Sequence, residues 1–219
     1  MRLKGPKVLL VEGDRDLHAV VGLAKQAGIS WPAAPPVIIE KLGGKANLRT
    51  KLETVLRVPQ LTHLGLIVDA DEDRDASWQS LRGLLEAHGQ LPDTPPAAGW
   101  RGSLSSPQLQ LGLWLMPDNE GPGALETLLL RATTHDRLQT FADRATDEAK
   151  QDHGATYKLA HRDKARLHAA AAWFDEPGQP LGIAIQRGFV DLMHPDLSAF
   201  LAWFRATFDL APPAPPAPP

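Results

Sequence analysis

An α/β fold is what this sequence predicts: a mainly parallel four-stranded sheet flanked by helices, with a C-terminal helical annex. Three observations carry the expectation. Four apolar runs, Val8–Val11, Val37–Ile39, Leu64–Val68 and Leu111–Met116, are strand-length and nearly continuous, as in strands buried on both faces. Segments with helical apolar spacing lie between the first three and after the last, and alternation of this kind argues a parallel sheet. Beyond about residue 132 the pattern turns mostly helical.

The elements follow in order. Val8–Val11 forms the first strand. Asp14 can cap the next helix, whose inward stripe is Leu17, Val20, Val21, Leu23 and Ala24, and Gly28 stops it. A proline-rich connection, Trp31 to Pro36, leads to the second strand, which ends at Gly43-Gly44. Ala46 to Leu56 reads as a helix with Leu48, Leu52, Val55 and Leu56 inward, and Leu64–Val68 as the third strand. Ala76 to Ala87 places Trp78, Leu81, Leu84 and Leu85 on one helical side. Residues 89–110 are rich in Pro, Gly and Ser and read as a long irregular connection with room for a hairpin. Leu111–Met116 is the fourth strand, and Leu125 to Arg131 begins a helix. Helices are expected over 134–152, 157–174 and 197–208, and a short strand at Ile183-Ala184-Ile185. The organisation is therefore an α/β domain over 1–131, a helical extension over 132–210 and a tail over 211–219. That tail is almost all Pro and Ala and is expected to be extended and disordered.

Composition removes several classes. The chain has no cysteine, which excludes disulfides and thiolate-bound zinc. The N-terminal apolar run stops at Glu12, too soon for a signal peptide. No segment approaches the roughly 20 apolar residues of a membrane span, so a soluble, cytoplasmic protein is expected. Net charge is −3, which does not mark a nucleic-acid binder, but its distribution is uneven. Residues 1–60 carry ten Lys/Arg against five Asp/Glu, and residues 61–130 carry three against ten. An acidic centre beside basic segments suits a metal site next to a phosphate-binding surface, and equally an ordinary solvated face.

Two of the strand patterns deliver carboxylates at their C-terminal ends: Glu12 then Asp16 after the first, and Asp69-Ala70-Asp71 after the third. Open α/β sheets bind ligands there. Side chains at i and i+2 of an extended segment share a direction, so Asp69 and Asp71 can face one cation. With the first and third strands adjacent, Glu12 would join them. Like charges so close are costly unless neutralised, and oxygen-only ligands favour Mg²⁺ or Mn²⁺. Other uses are open: Asp71, Asp73 or Asp75 as a helix cap, and Glu12 as the partner of a lysine. Asp118 follows the fourth strand and lies on the same rim, as a metal ligand or as part of an Asp118–Gly121 turn. Gly43, Gly44 and Lys45 offer a loop whose N–H groups and ammonium could hold a phosphate, although no P-loop pattern is present.

Glu12-Gly13-Asp14-Arg15-Asp16, Gly43-Gly44-Lys45-Ala46-Asn47-Leu48 and Val68-Asp69-Ala70-Asp71 together resemble the TOPRIM domain, most closely that of the OLD-family nucleases, over roughly residues 7–131. Trp114 to Asn119, with Gly121 and Glu126, resembles a small uncharacterised family of TOPRIM-like proteins. The resemblance implies roles. Glu12 would act with metal or as a general acid/base, Asp69 and Asp71 would bind Mg²⁺, and Asp16 would help hold a second metal. Lys158 or Lys164 would supply the cation that OLD-like nucleases place downstream of the D-x-D; both also fit a solvated helix face. The implied activity is Mg²⁺-dependent phosphodiester cleavage of DNA or RNA, in a defence setting by analogy. The alternative is a non-catalytic metal-binding module that senses or recruits a partner, such as a separate ATPase in place of the ATPase domain that OLD-like nucleases usually carry. The zinc-binding and polymerase regions of TOPRIM primases are lacking, and Tyr157, the only tyrosine, lies in a polar run unsuited to a topoisomerase.

Overall fold

The computed structural model describes residues 5–105 and 108–211. Its sheet is mixed and mostly parallel, and it has five strands rather than four. They are β1 (Lys7–Val11), β2 (Ile38–Lys41), β3 (His63–Asp69), β4 (Trp100–Ser105) and β5 (Gln108–Met116), in the spatial order β2-β1-β3-β5-β4. β1 pairs in parallel with β2 and β3, and β3 with β5, in the register Val8↔Leu64 and Leu64↔Leu111. The additional strand, β4, lies within the segment expected to be irregular and pairs antiparallel with β5 as a hairpin. It occupies the sheet edge, where one partner suffices and a continuous apolar run is not needed.

Both faces of the sheet are covered, which explains the unbroken apolar runs. Val8, Leu10, Leu64, Leu66 and Val68 point to one side, against Leu48, Leu52 and Val55 of α2 (Leu48–Leu56) and Trp78, Leu81 and Leu85 of α3 (Arg74–Leu85). Leu9, Val11, Ile67, Trp114 and Met116 point to the other, into a core with α1 (Asp14–Gln26) and α4 (Leu125–Arg131). The C-terminal helices α5 (Asp136–Asp152), α6 (Arg162–Ala172), α7 (Leu181–Gln186) and α8 (Pro195–Thr207) contribute to that same core. Trp114 meets Phe200 and Trp203 of α8 at ring distances of 5.4 and 5.6 Å. The helix seats itself over two cross-strand glycines. A Cβ on Gly65 would lie 2.6 Å from the Phe208 ring, and one on Gly112 would lie 2.4 Å from Thr207.

Several local expectations are corrected. Ile183-Ala184-Ile185 is helical, within α7, despite its β-branched residues. The helix rests on α1 where Gly22 and Gly182 meet, with room for no Cβ on either, so tertiary packing overrides local propensity. The helices expected from Ala46 and from residue 157 each begin with a short 3₁₀ turn, Lys45–Asn47 and Leu159–His161. Asp14 does not cap α1; its carboxylate pairs with Lys41 of β2, and the chain enters α1 through Gly13. Of the possible caps before α3, Asp73 takes the role by accepting from the Ala76 N–H at 2.9 Å. The tail expected to be extended lies, from residue 212 onward, outside the described residues. Among the described residues, no helix is long and apolar enough to cross a membrane.

Candidate functional site

Parallel pairing of β1 with β3 brings their C-terminal ends side by side. Glu12 is the first residue past β1, and its Oε1 accepts from the Asp69 N–H at 3.2 Å. Asp69 is the last residue of β3, and its Oδ1 accepts from the Leu125 N–H, at the start of α4, at 3.2 Å. Asp16, in the first turn of α1, accepts from the Gly13 N–H at 2.7 Å. Each carboxylate is thus held by a backbone amide at the end of a strand or the start of a helix. None of the three is fully exposed.

Their electrostatics reflect crowding. Burial pushes Asp69 from 3.8 up to about 8, with Glu12, Asp16 and Glu126 adding repulsion and the Leu125 N–H opposing it. Burial also raises Glu12, against the Asp69 N–H and Lys45. Asp16 is raised by burial and by Glu126, with the Gly13 N–H and Lys164 opposing. Carboxylates desolvated next to one another favour their neutral forms.

Asp71 departs from the expected geometry. The strand ends at Asp69, and Asp71 adopts a left-handed φ of 53° while exchanging backbone hydrogen bonds with Gly123 at 2.7 and 2.9 Å. The i, i+2 alignment with Asp69 therefore fails, because it requires extended backbone. The two residues are joined instead by Lys45. Its Nζ donates to the Asp69 carbonyl at 2.7 Å and to the Asp71 carboxylate, and lies 3.9 Å from Glu12 Oε1. Glu12 does have a lysine neighbour, as one alternative had it.

The phosphate-loop expectation is also corrected in part. The N–H groups of Gly43 and Gly44 both point at the Glu12 carbonyl, at 3.1 and 3.3 Å, so they fix the loop to β1 instead of facing an anion. Both glycines have positive φ, 73° and 110°, which permits this fold-back. Asp118 is drawn into a turn. Its Oδ1 accepts from the Glu120 and Gly121 N–H groups at 2.9 and 2.7 Å, and its Oδ2 pairs with Arg131. Although burial pulls the other way, the Gly121 N–H and Arg131 hold its carboxyl below the ordinary value. Asp118 does not line the cleft described next.

A cleft of about 910 Å³ opens over the strand ends, with Glu12, Asp69 and Asp71 on one side. The opposite wall is the segment from Leu159 to Lys164. Of the two downstream lysines, Lys164 lines this cleft and pairs with Glu126 at 3.5 Å, whereas Lys158 is exposed and outside it. Glu126 is the residue that sequence reasoning left out of the site. Its carboxylate is 12% exposed and repels both Asp69 and Asp16. The available signal was its place in the first turn of a helix after a strand that itself ends at the rim. Thr127 fixes the wall: its Oγ1 accepts from the Ala124 N–H at 3.1 Å and donates to Asp163 at 2.7 Å.

The structure therefore gathers Glu12, Asp16, Asp69, Asp71 and Glu126 with Lys45 and Lys164, and leaves Asp118 and Lys158 aside. As the side chains stand, no group of three or more His, Cys, Asp or Glu is arranged to hold a metal ion among the described residues. The Lys45 ammonium lies where the carboxylates would otherwise be bare. No curated protein and no solved structure matches the chain. A family model matches residues 6–209, nearly its whole length, under a description that names no activity. By that match the chain belongs to the family described as protein of unknown function DUF3226.

Proposed function

We propose that this chain is a Mg²⁺-dependent phosphodiesterase acting on DNA or RNA, built on a TOPRIM-like sheet of the kind found in OLD-family nucleases. The observation that carries the reading is the unbalanced charge at the strand ends. Five carboxylates (Glu12, Asp16, Asp69, Asp71 and Glu126) stand with two ammonium groups, and Asp69 is driven to about 8, first by burial and then by repulsion from Glu12, Asp16 and Glu126. The donor set suits a hard divalent cation: oxygen only, partly buried, on adjacent parallel strands. Glu12, Asp69 and Asp16 would hold it, with Glu126 at its flank and Asp71 available once Lys45 releases it.

A bound divalent cation would supply Lewis-acid stabilisation of the phosphoryl oxygens. The chain's own residues do the rest. Lys164 lines the cleft beside Glu126, and Lys45 sits behind Asp71 at the strand ends; both place positive charge close to where a phosphodiester would develop negative charge. Glu12, raised by burial, takes up a proton more readily than a free carboxylate and would be the group to accept or return one.

One observation favours a second reading, a non-catalytic module that recruits a partner such as a separate ATPase. Lys45 already neutralises Asp71 and approaches Glu12, as an internal ammonium does in a site that has no use for a metal. One experiment separates the two. Purified chain is titrated with Mn²⁺ by electron paramagnetic resonance and assayed for cleavage of single- and double-stranded DNA and RNA in Mg²⁺, beside an Asp69→Ala, Asp71→Ala variant. Cleavage by the parent alone is expected. Equal cleavage by both proteins removes the phosphodiesterase reading. Mn²⁺ binding without any cleavage favours the recruiting module.

A further inference from the structure

A second cavity, of about 270 Å³, lies between α2 and α3 next to the carboxylate cleft. Its floor is aliphatic: Leu48, Val68, Leu81 and Leu84. Its rim is polar. Ser77 donates to the Ala70 carbonyl at 3.1 Å and keeps its oxygen lone pairs, and Ser80 is exposed. Arg49, also on the rim, is exposed and makes no hydrogen bond or ion pair with the described residues.

Two residues connect this cavity to the strand ends. Ser77 lines both spaces. The Lys45 side chain borders the cavity, while its ammonium sits on the Asp69 carbonyl and the Asp71 carboxylate. A group seated in the cavity is therefore one lysine side chain away from the proposed site of phosphodiester cleavage.

We infer that this cavity is a subsite for one unpaired nucleobase, with Arg49 binding an adjacent phosphate, so that the substrate is single-stranded nucleic acid or a frayed end. The inference rests on the phosphodiesterase reading and gives it a substrate class. An aliphatic floor takes the flat apolar faces of a base. Ser77, its proton committed to Ala70, can accept from a base edge, and the exposed Ser80 hydroxyl can donate or accept, so the pair can meet the edge of any base without selecting one. The free guanidinium of Arg49 matches a phosphate in the fork geometry that lysine lacks. The volume is just below the range of roughly 300–1,000 Å³ typical of drug-sized ligands. It has room for a base laid with one face on the aliphatic floor; in a duplex both faces of a base are covered by stacking, so a duplex would have to unpair and unstack a nucleotide to use it.

The test uses the full chain in EDTA, with adenosine 5′-monophosphate and base-free ribose 5-phosphate as probes, followed by amide shifts in two-dimensional NMR. Adenosine 5′-monophosphate is expected to shift amides of Ala46–Arg49 and Ser77–Leu84, and ribose 5-phosphate to bind at least about tenfold more weakly. Arg49→Ala should weaken the nucleotide about tenfold, the loss of one charge-assisted contact. Ser80→Trp, at an exposed helical position that tolerates the change, should fill the cavity and abolish binding. Equal binding of the two probes, unchanged binding by Ser80→Trp, or no shift at millimolar nucleotide overturns the subsite. The same proteins are then given Mg²⁺ with single- and double-stranded substrates, and a single-strand preference that Ser80→Trp loses is expected. A parent protein that shows no such preference overturns the inferred substrate class. Absence of all cleavage, with nucleotide still seated in EDTA, overturns the phosphodiesterase reading and leaves the base subsite standing.

Discussion

Replacing Asp69 by asparagine measures how far the strand-end carboxylates are held against their own repulsion. Asparagine keeps an oxygen for the Leu125 N–H, now 3.2 Å from Asp69 Oδ1, and removes the charge. Burial and the neighbouring Glu12, Asp16 and Glu126 raise Asp69 from 3.8 to about 8. Below the lower value the group is neutral in folded and unfolded chains and has no effect. Between the two values the unfolded chain ionises and the folded one does not, so stability falls as pH rises. Above about 8 the loss is constant. Each pH unit in that window is worth about 1.4 kcal/mol, so near neutral pH the upper bound is roughly 4 kcal/mol. Relaxation of the site and water entry reduce it. Recovery of half, about 2 kcal/mol, would raise Tm by roughly 4–8 °C in a chain of this length. Thermal melts of Asp69→Asn and parent in EDTA, at mildly acidic and mildly alkaline pH, give the comparison. The variant should gain more at the alkaline end, and Mg²⁺ should narrow the gap by stabilising only the parent. A variant no more stable than the parent above neutrality, or a gain that does not grow with pH, refutes the reasoning.

Two further variants probe the scaffold around the site. Thr127→Val removes both the Ala124 N–H bond and the bond to Asp163, and should cost about 1–3 kcal/mol in urea unfolding. An unchanged midpoint would mean that the cleft wall is not fixed through Thr127. Gly65→Ala puts a Cβ 2.6 Å from the Phe208 ring and 2.9 Å from Leu9. It should destabilise by about 1–3 kcal/mol, with partial recovery on adding Phe208→Leu; equal loss in single and double variants would place the strain elsewhere.

What could be read from the sequence follows from how each residue is used. β1 and β3 were legible because both faces are buried and the apolar run is unbroken. β4 was not, since Trp100-Arg101-Gly102-Ser103-Leu104-Ser105 borrows its stability from one neighbour at an edge. α7 reads locally as a strand, and only the Gly22–Gly182 contact with α1, more than 150 residues earlier in the chain, makes it a helix. At the site, Glu12 and Asp69 were placed by strand order alone. Asp71 was misplaced because nothing in Asp69-Ala70-Asp71 announces the left-handed turn that pairs it with Gly123. The Gly43-Gly44-Lys45 pattern suggests N–H groups free for an anion, but the Glu12 carbonyl takes those of Gly43 and Gly44. Glu126 carries only the weak signal of a first-turn acid after β5; its membership depends on how α4 docks across β3.

Beyond β5 this chain neutralises several partly buried acids with arginine. Arg131 joins Asp118 to Asp196, and Arg166 lies among Asp143, Asp147 and Asp163. No arginine ion-pairs with Glu12, Asp16, Asp69, Asp71 or Glu126 among the described residues; two lysines stand there, each a point charge on a flexible stem. A guanidinium would lock such a cluster in two-point contacts, while an ammonium can leave. On the proposed reading that difference has a use. A divalent cation arriving at Glu12 and Asp69 would take over the neutralisation that Lys45 now gives, and the released ammonium would face the cleft mouth beside the cavity that Arg49 borders. The same event that fills the carboxylate site would thus free a positive charge for the incoming phosphate. The two readings then differ in one measurable respect: whether Lys45 stays on Asp71 when Mg²⁺ is added, or leaves it.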